Sequence, residues 1–220
     1  MGWKASAIII NSNKDTDYKS LLSALGFSDL SKVKDRTVEE VINPVDNEVY
    51  IGRYKNNLII CAPDMPLTFF DDEAGHAEKE LIHKFPGAEI CSIVLHSVVN
   101  LWGYAVIKDG KRIRARAGSS DDGTFLESGE PLKEELDLLA KSQINDEGER
   151  VYLFEDFPDE PMSEDQVGEN FVFEVAGRYL GEPLDSCDDF LFKTRLKGYN
   201  YSKVINPSSE KSGKPWWKFW

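Results

Sequence analysis

The sequence has 220 residues, 41% of them hydrophobic, and carries 26 basic against 39 acidic side chains, for a net charge of −13. That is enough apolar content to fill one sizeable core, and so negative a chain repels phosphate backbones and anionic lipid, which argues against nucleic acid as a partner. No apolar run approaches the roughly 18 to 20 residues that cross a bilayer, and the opening Met1-Gly2-Trp3-Lys4 has no extended hydrophobic signal region, so the expectation is a soluble cytoplasmic protein.

In chain order, residues 4–10 read as a strand whose Ala7-Ile8-Ile9-Ile10 end is apolar on both faces, as in the centre of a sheet. Asp15 or Thr16 can cap the next helix, where Tyr18, Leu21, Leu22 and Leu25 recur at helical spacing and Gly26 supplies a left-handed stop. A helical turn over 37–41 precedes strands at 48–54 and 57–61, joined through Lys55 and Asn56 as a hairpin. Residues 73–84 are a polar helix stopped by Phe85-Pro86-Gly87. Residues 89–99 are rich in β-branched side chains, and 101–107 lead to Asp109-Gly110, a pair suited to a two-residue type I′ turn, with the returning strand at 112–117. A surface loop follows over 118–123, then a short strand at 124–127. Pro131 starts a helix through Leu139. Residues 151–154 form another short strand. Ser163 and Gln166 then make a capping box for a helix ending near Gly181, with Val167, Phe171, Val175 and Tyr179 as its buried stripe.

These elements predict an α+β fold, mainly an antiparallel sheet built from hairpins with three to four helices packed on it. Residues 1–205 read as a single domain. Residues 206–220, rich in Pro, Ser, Gly and Lys, read as a flexible tail ending in an aromatic cluster. Cys61, Cys91 and Cys187 are odd in number and lack C-x-x-C spacing, which argues against a disulfide framework or a zinc site and fits a reducing compartment. Residues 121–169 hold 17 acids and 3 bases, so this band alone accounts for the molecular charge. It reads either as solvated surface or as a docking face for a basic partner.

Arg112, Arg114 and Arg116 alternate with Ile113, Ala115 and Ala117, and strand geometry would point three guanidinium groups to one face, where they could bind an anion. A solvated face compensated by neighbouring acids is the other reading. His96, Ser97 and Asn100 interrupt an apolar stretch and need hydrogen-bond partners if buried. Adjacent Ser and His side chains point to opposite faces of a strand, so they cannot by themselves pair as nucleophile and base, and fixing a bend between strands is the alternative role. His76, Glu80 and His83 share a helical face without the H-E-x-x-H spacing, and Asp121 and Asp122 fit no calcium loop, so no metal site and no cofactor is assigned. Trp216, Trp217, Phe219 and Trp220 would pack on the domain, dock into a partner, or sit at a membrane interface.

The run Val94-Leu95-His96-Ser97-Val98-Val99-Asn100-Leu101-Trp102, followed by Asp109-Gly110, Asp121-Asp122-Gly123 and Gly129-Glu130-Pro131-Leu132, resembles a bacterial family of unknown function. The likeness covers mainly residues 48–135. It implies a bacterial cytosolic protein and carries over no reaction or catalytic residue. Where that pattern often has Asp after Val-Val, this chain has Asn100. The leading expectation is therefore a noncatalytic interaction or regulatory protein using the acidic surface and the Trp-rich tail. The alternative is a small hydrolase or anion-binding enzyme centred on His96, Ser97 and the arginine face. A concavity joining His96 to the arginines would distinguish them.

Overall fold

The structure, a computed structural model, describes residues 2–204. The aromatic cluster at Trp216, Trp217, Phe219 and Trp220 lies outside the described residues. In chain order the elements are β1 (Lys4–Asn11), α1 (Tyr18–Ala24), β2 (Ser31–Thr37), α2 (Val38–Val41), β3 (Glu48–Tyr54), β4 (Asn57–Cys61), α3 (His76–Lys84), β5 (Glu89–His96), β6 (Leu101–Lys108), β7 (Lys111–Ser119), β8 (Gly123–Gly129), α4 (Leu136–Leu139), β9 (Ser142–Ile144), β10 (Arg150–Phe154), β11 (Phe157–Ser163), α5 (Glu164–Leu180) and β12 (Arg195–Asn200). Short 3-10 turns link several of them, notably Met65–Phe70 after β4 and Lys133–Glu135 before α4.

A nine-stranded sheet in the order β2-β12-β3-β4-β1-β5-β6-β7-β8 forms the body, and a small sheet in the order β11-β10-β9 stands apart from it. Every neighbouring pair is antiparallel. The fold is α+β, as the alternation of hairpins and helices implies. β1 sits at the centre because its residues are apolar on both faces, and both faces are covered. On one side Ala7, Ile9, Tyr50, Ile59, Cys91, Ile93 and Tyr104 pack with α2 and α5. On the other, Ile8, Ile10, Ile51, Ile60, Ile90, Ala105 and Ala115 pack with α1, α3 and the Met65–Phe70 turn. Adjacent strand residues enter different clusters, as period-two side-chain geometry requires.

The hairpin of β6 and β7 turns at Asp109 and Gly110, with φ of 50° and 73°, the left-handed pair that a type I′ turn needs. α5 spans 17 residues between the Ser163–Gln166 capping box and Gly181, whose φ is 94°. Its stripe of Val167, Phe171, Val175 and Tyr179 is buried. No helix among the described residues is long and apolar enough to cross a membrane.

Several local features differ from the sequence expectation. Asp17, not Asp15 or Thr16, caps α1, its carboxylate accepting from the Ser20 amide at 2.6 Å. The segment after Pro131 is a 3-10 turn running into the four-residue α4. β2, β9, β11 and β12 have no apolar alternation strong enough to be read from sequence. The polar β2 is an edge strand, and β11 carries Pro158 and Pro161, which an edge tolerates. β12 is inserted between β2 and β3 from the far end of the chain.

Candidate functional site

The three arginines of β7 do not share a face. Val106 pairs with Arg114 and Ile107 with Arg112, so Ile113 is an extra residue on β7 and forms a bulge. A bulge shifts the alternation by one position. Arg114 and Arg116 therefore face the α5 side with their partners Val106 and Tyr104, whereas Arg112 turns to the α3 side with Ile107. This corrects the expectation of a single arginine face: a local insertion overrides simple strand periodicity.

Arg114 and Arg116 are buried beneath α5. Arg114 binds the Glu135 carboxylate through two nitrogens, Nε at 2.9 Å and NH2 at 2.6 Å, and donates to the Gly129 carbonyl at 2.8 Å and to Glu127 at 3.1 Å. Burial opposes the charge on Arg114, but its hydrogen bonds and attraction to Glu135 outweigh this and raise its pKa. Glu135 is itself buried and also accepts from the Leu132 amide, which fixes the turn that carries it. Arg116 is ion-paired with Glu127, at 3.3 Å, and with Glu164. The same guanidinium lies 4.5 Å from the Phe171 ring centroid and 5.5 Å from that of Trp102. Arg150 approaches both Glu127 and Glu164, and Tyr152 donates to Glu164 at 2.9 Å. Burial pushes the Glu127 carboxyl up, yet Arg116, Arg114 and Arg150 together hold it below its usual range. Three guanidinium groups thus meet three carboxylates. The charges of the layer balance, but the Arg116 nitrogens are buried without a hydrogen-bond partner among the described residues, so Arg116 is held by ion pairing and ring contact rather than by directed hydrogen bonds.

His96, Ser97 and Asn100 lie where β5 passes into β6. Asn100 adopts φ 45° and its side chain donates to Asp165 of α5 at 2.9 Å. The Ser97 hydroxyl has two acceptors, the Trp3 carbonyl at 2.8 Å and Glu169 of α5 at 3.2 Å. Both residues brace α5. Alternation along β5 places His96 on the face of Val94, opposite Arg114 and Arg116, and its Nδ1 is buried with no hydrogen-bond partner among the described residues. The nine-stranded sheet lies between His96 and the arginine pair. Trp102, next on β6, packs against Gly168 of α5 so closely that a Cβ there would collide with the indole.

The remaining candidates are dispersed. The His76 Nε2 pairs with the Ala24 carbonyl at 2.9 Å, and among the described residues no group of His, Cys, Asp or Glu has the geometry of a metal site. Cys61, Cys91 and Cys187 are buried and unbridged. Burial pushes the Cys61 thiol up to about 12, which leaves it unreactive.

Where Arg112 turns away from α5, it supports a different feature. It donates to Glu78 at 2.9 Å and to the Asp71 carbonyl at 2.7 Å, holding the chain after the Met65–Phe70 turn beside the edge strand β8. Between them opens a cleft of about 560 Å³ lined by Phe70, Asp71, Asp72, Asp122, Phe125 and Leu126. Phe70, Phe125 and Leu126 give it apolar walls, and the three aspartates give its rim a negative charge. Burial raises the Asp71 carboxyl above its ordinary value, against the pull of Arg112. Of these residues, sequence reading singled out only Asp122. The adjoining Phe70-Asp71-Asp72 was a visible signal, but nothing in one sequence pairs it with Asp122-Gly123-Thr124-Phe125 some fifty positions on.

Fold and site together define an α+β protein with a doubly covered antiparallel sheet, a neutralised ion-pair layer on one face of β7 and an aromatic, carboxylate-rimmed cleft on the other. The model of a family of unknown function, DUF6928, matches residues 19–155, and the chain belongs to that family. The match extends beyond residues 48–135 at both ends and contains the whole cleft, while Glu164 and the rest of α5 lie outside it. No curated protein and no solved structure matches the chain.

Proposed function

We propose that this is a noncatalytic interaction protein of the cytoplasm whose docking surface is the Phe70–Phe125 cleft, and that its partners present basic, aromatic peptide segments. The observation that carries this reading is the lining: aromatic walls to receive rings, and carboxylates to receive lysine or arginine. A size of about 560 Å³ suits a few side chains. The three unbridged cysteines fit a reducing compartment. The acidic band contributes less free charge than its composition suggests, because Glu127, Glu134, Glu135, Glu164, Asp165 and Glu169 are bonded within the protein.

The enzyme alternative lacks comparable support, since Arg114 and Arg116 are occupied by carboxylates and His96 lies on the opposite face. The test is fluorescence anisotropy with two labelled peptides, one alternating Lys with Trp and one alternating Glu with Trp. Only the lysine peptide should bind, and raising salt to about 0.5 M should weaken it several-fold, because rim charges are screened. Equal binding of the two peptides, or insensitivity to salt, would contradict the reading.

A further inference from the structure

We infer that the first occupant of the cleft is this chain's own tail: Trp216, Trp217, Phe219 and Trp220 enter the Phe70–Phe125 cleft while Lys214 and Lys218 meet its aspartates. The inference rests on the docking reading above and names the occupant of that surface.

Two observations point to this occupant. The first is reach. Residues 205–220 lie beyond Val204, the last described residue, and 16 residues can extend about 50 Å. Val204 bridges to Phe27, whose ring meets that of Tyr201 at 4.8 Å between centroids. Phe27, Tyr201, Phe70 and Leu126 all belong to the cluster on the α1 and α3 side of the sheet. The chain therefore leaves on the face where the cleft opens. Met65 and Phe70 belong to the same cluster as Phe27 and Tyr201, and the Met65–Phe70 turn leads to the cleft. Six residues of 3-10 helix cover only about 12 Å.

The second is complementarity. Residues 211–220 hold Lys211, Lys214 and Lys218 with no acid and four aromatic side chains. The cleft has the inverse composition, three acids with Phe70, Phe125 and Leu126. A tethered segment acts at an effective concentration on the order of millimolar, so even modest affinity keeps it in place.

The experiment compares the full chain with its Trp216→Ala/Trp217→Ala/Phe219→Ala/Trp220→Ala variant, titrating each with a labelled synthetic peptide of residues 211–220. The variant should bind the peptide at least about tenfold more tightly than the parent, whose cleft is already filled. In parallel, a benzophenone amino acid at position 217 of the full chain should cross-link within one molecule to residues 68–72 or 122–126. Equal peptide affinity for parent and variant overturns the tail as occupant while leaving the cleft as a docking site. Binding to neither chain overturns both readings. Cross-links that map elsewhere or join two chains, or tail-dependent partitioning onto anionic vesicles, overturn the tail as occupant.

Discussion

The two faces of β7 put similar charges to opposite uses. Toward α5, Arg114 and Arg116 are sealed from water and matched by Glu135, Glu127 and Glu164, so their attraction is spent on fixing a turn, an edge strand and the start of the longest helix. Toward α3, Arg112 pairs with Glu78 and holds the backbone at Asp71, leaving the carboxylates of Asp71, Asp72 and Asp122 to line an open cleft. The bulge at Ile113 is what separates these roles. Charge by itself does not mark a binding face. What marks one is charge whose complement the fold does not already supply.

The sharpest way to break this comparison is to remove one partner of the sealed layer. Glu135→Ala leaves Arg114 buried without its bidentate carboxylate and should cost about 3–5 kcal/mol in urea unfolding. A loss below about 1 kcal/mol would show that the charges of the layer do not balance as described. Gly168→Ala should cost about 1–3 kcal/mol, because the new methyl group displaces Trp102 and loosens α5 over the arginines. A wild-type unfolding midpoint would mean that the helix rides higher than the structure places it.

A smaller effect concerns pH. Hydrogen bonds from Arg178, and then from Lys108, outweigh burial and hold Glu89 at about 2, below its ordinary 4.5. A depressed carboxylate stabilises the fold above its unfolded value, and that contribution disappears as pH falls from about 4.5 through about 2. Arg178→Ala should therefore narrow the stability gap between parent and variant across that window, with the variants converging at the acid end. A gap that stays constant with pH would contradict the assignment. Smallest of all, Asp72→Asn and Asp122→Asn should change stability by no more than about 0.5 kcal/mol, since these exposed carboxylates lie on the cleft rim rather than in a sealed pair.

How much of this was legible beforehand follows from how local each signal is. β1, the Asp109-Gly110 hairpin and α5 announce themselves through an apolar run, a turn pair and a capping box, all contained within a few residues. β12 could not be read, because its strand character comes from the neighbours β2 and β3, which lie far away in sequence. The alternation of Arg112, Arg114 and Arg116 was visible, but the bulge is a property of pairing with β6. Glu135 and Glu164 look like ordinary surface acids in the sequence, and only folding turns them inward. The same holds for the cleft, whose two halves meet because β8 and the Met65–Phe70 turn approach one another in space.

The claim that unmatched charge defines the working face is tested most directly by titrating the Lys/Trp peptide, at low ionic strength, into the Trp216→Ala/Trp217→Ala/Phe219→Ala/Trp220→Ala protein with and without the triple substitution Asp71→Asn/Asp72→Asn/Asp122→Asn. At least a tenfold loss of affinity at an unchanged unfolding midpoint is the expected result, on the order of 1.4 kcal/mol of binding free energy. Equal affinity with and without the triple substitution, in folded proteins, would contradict it.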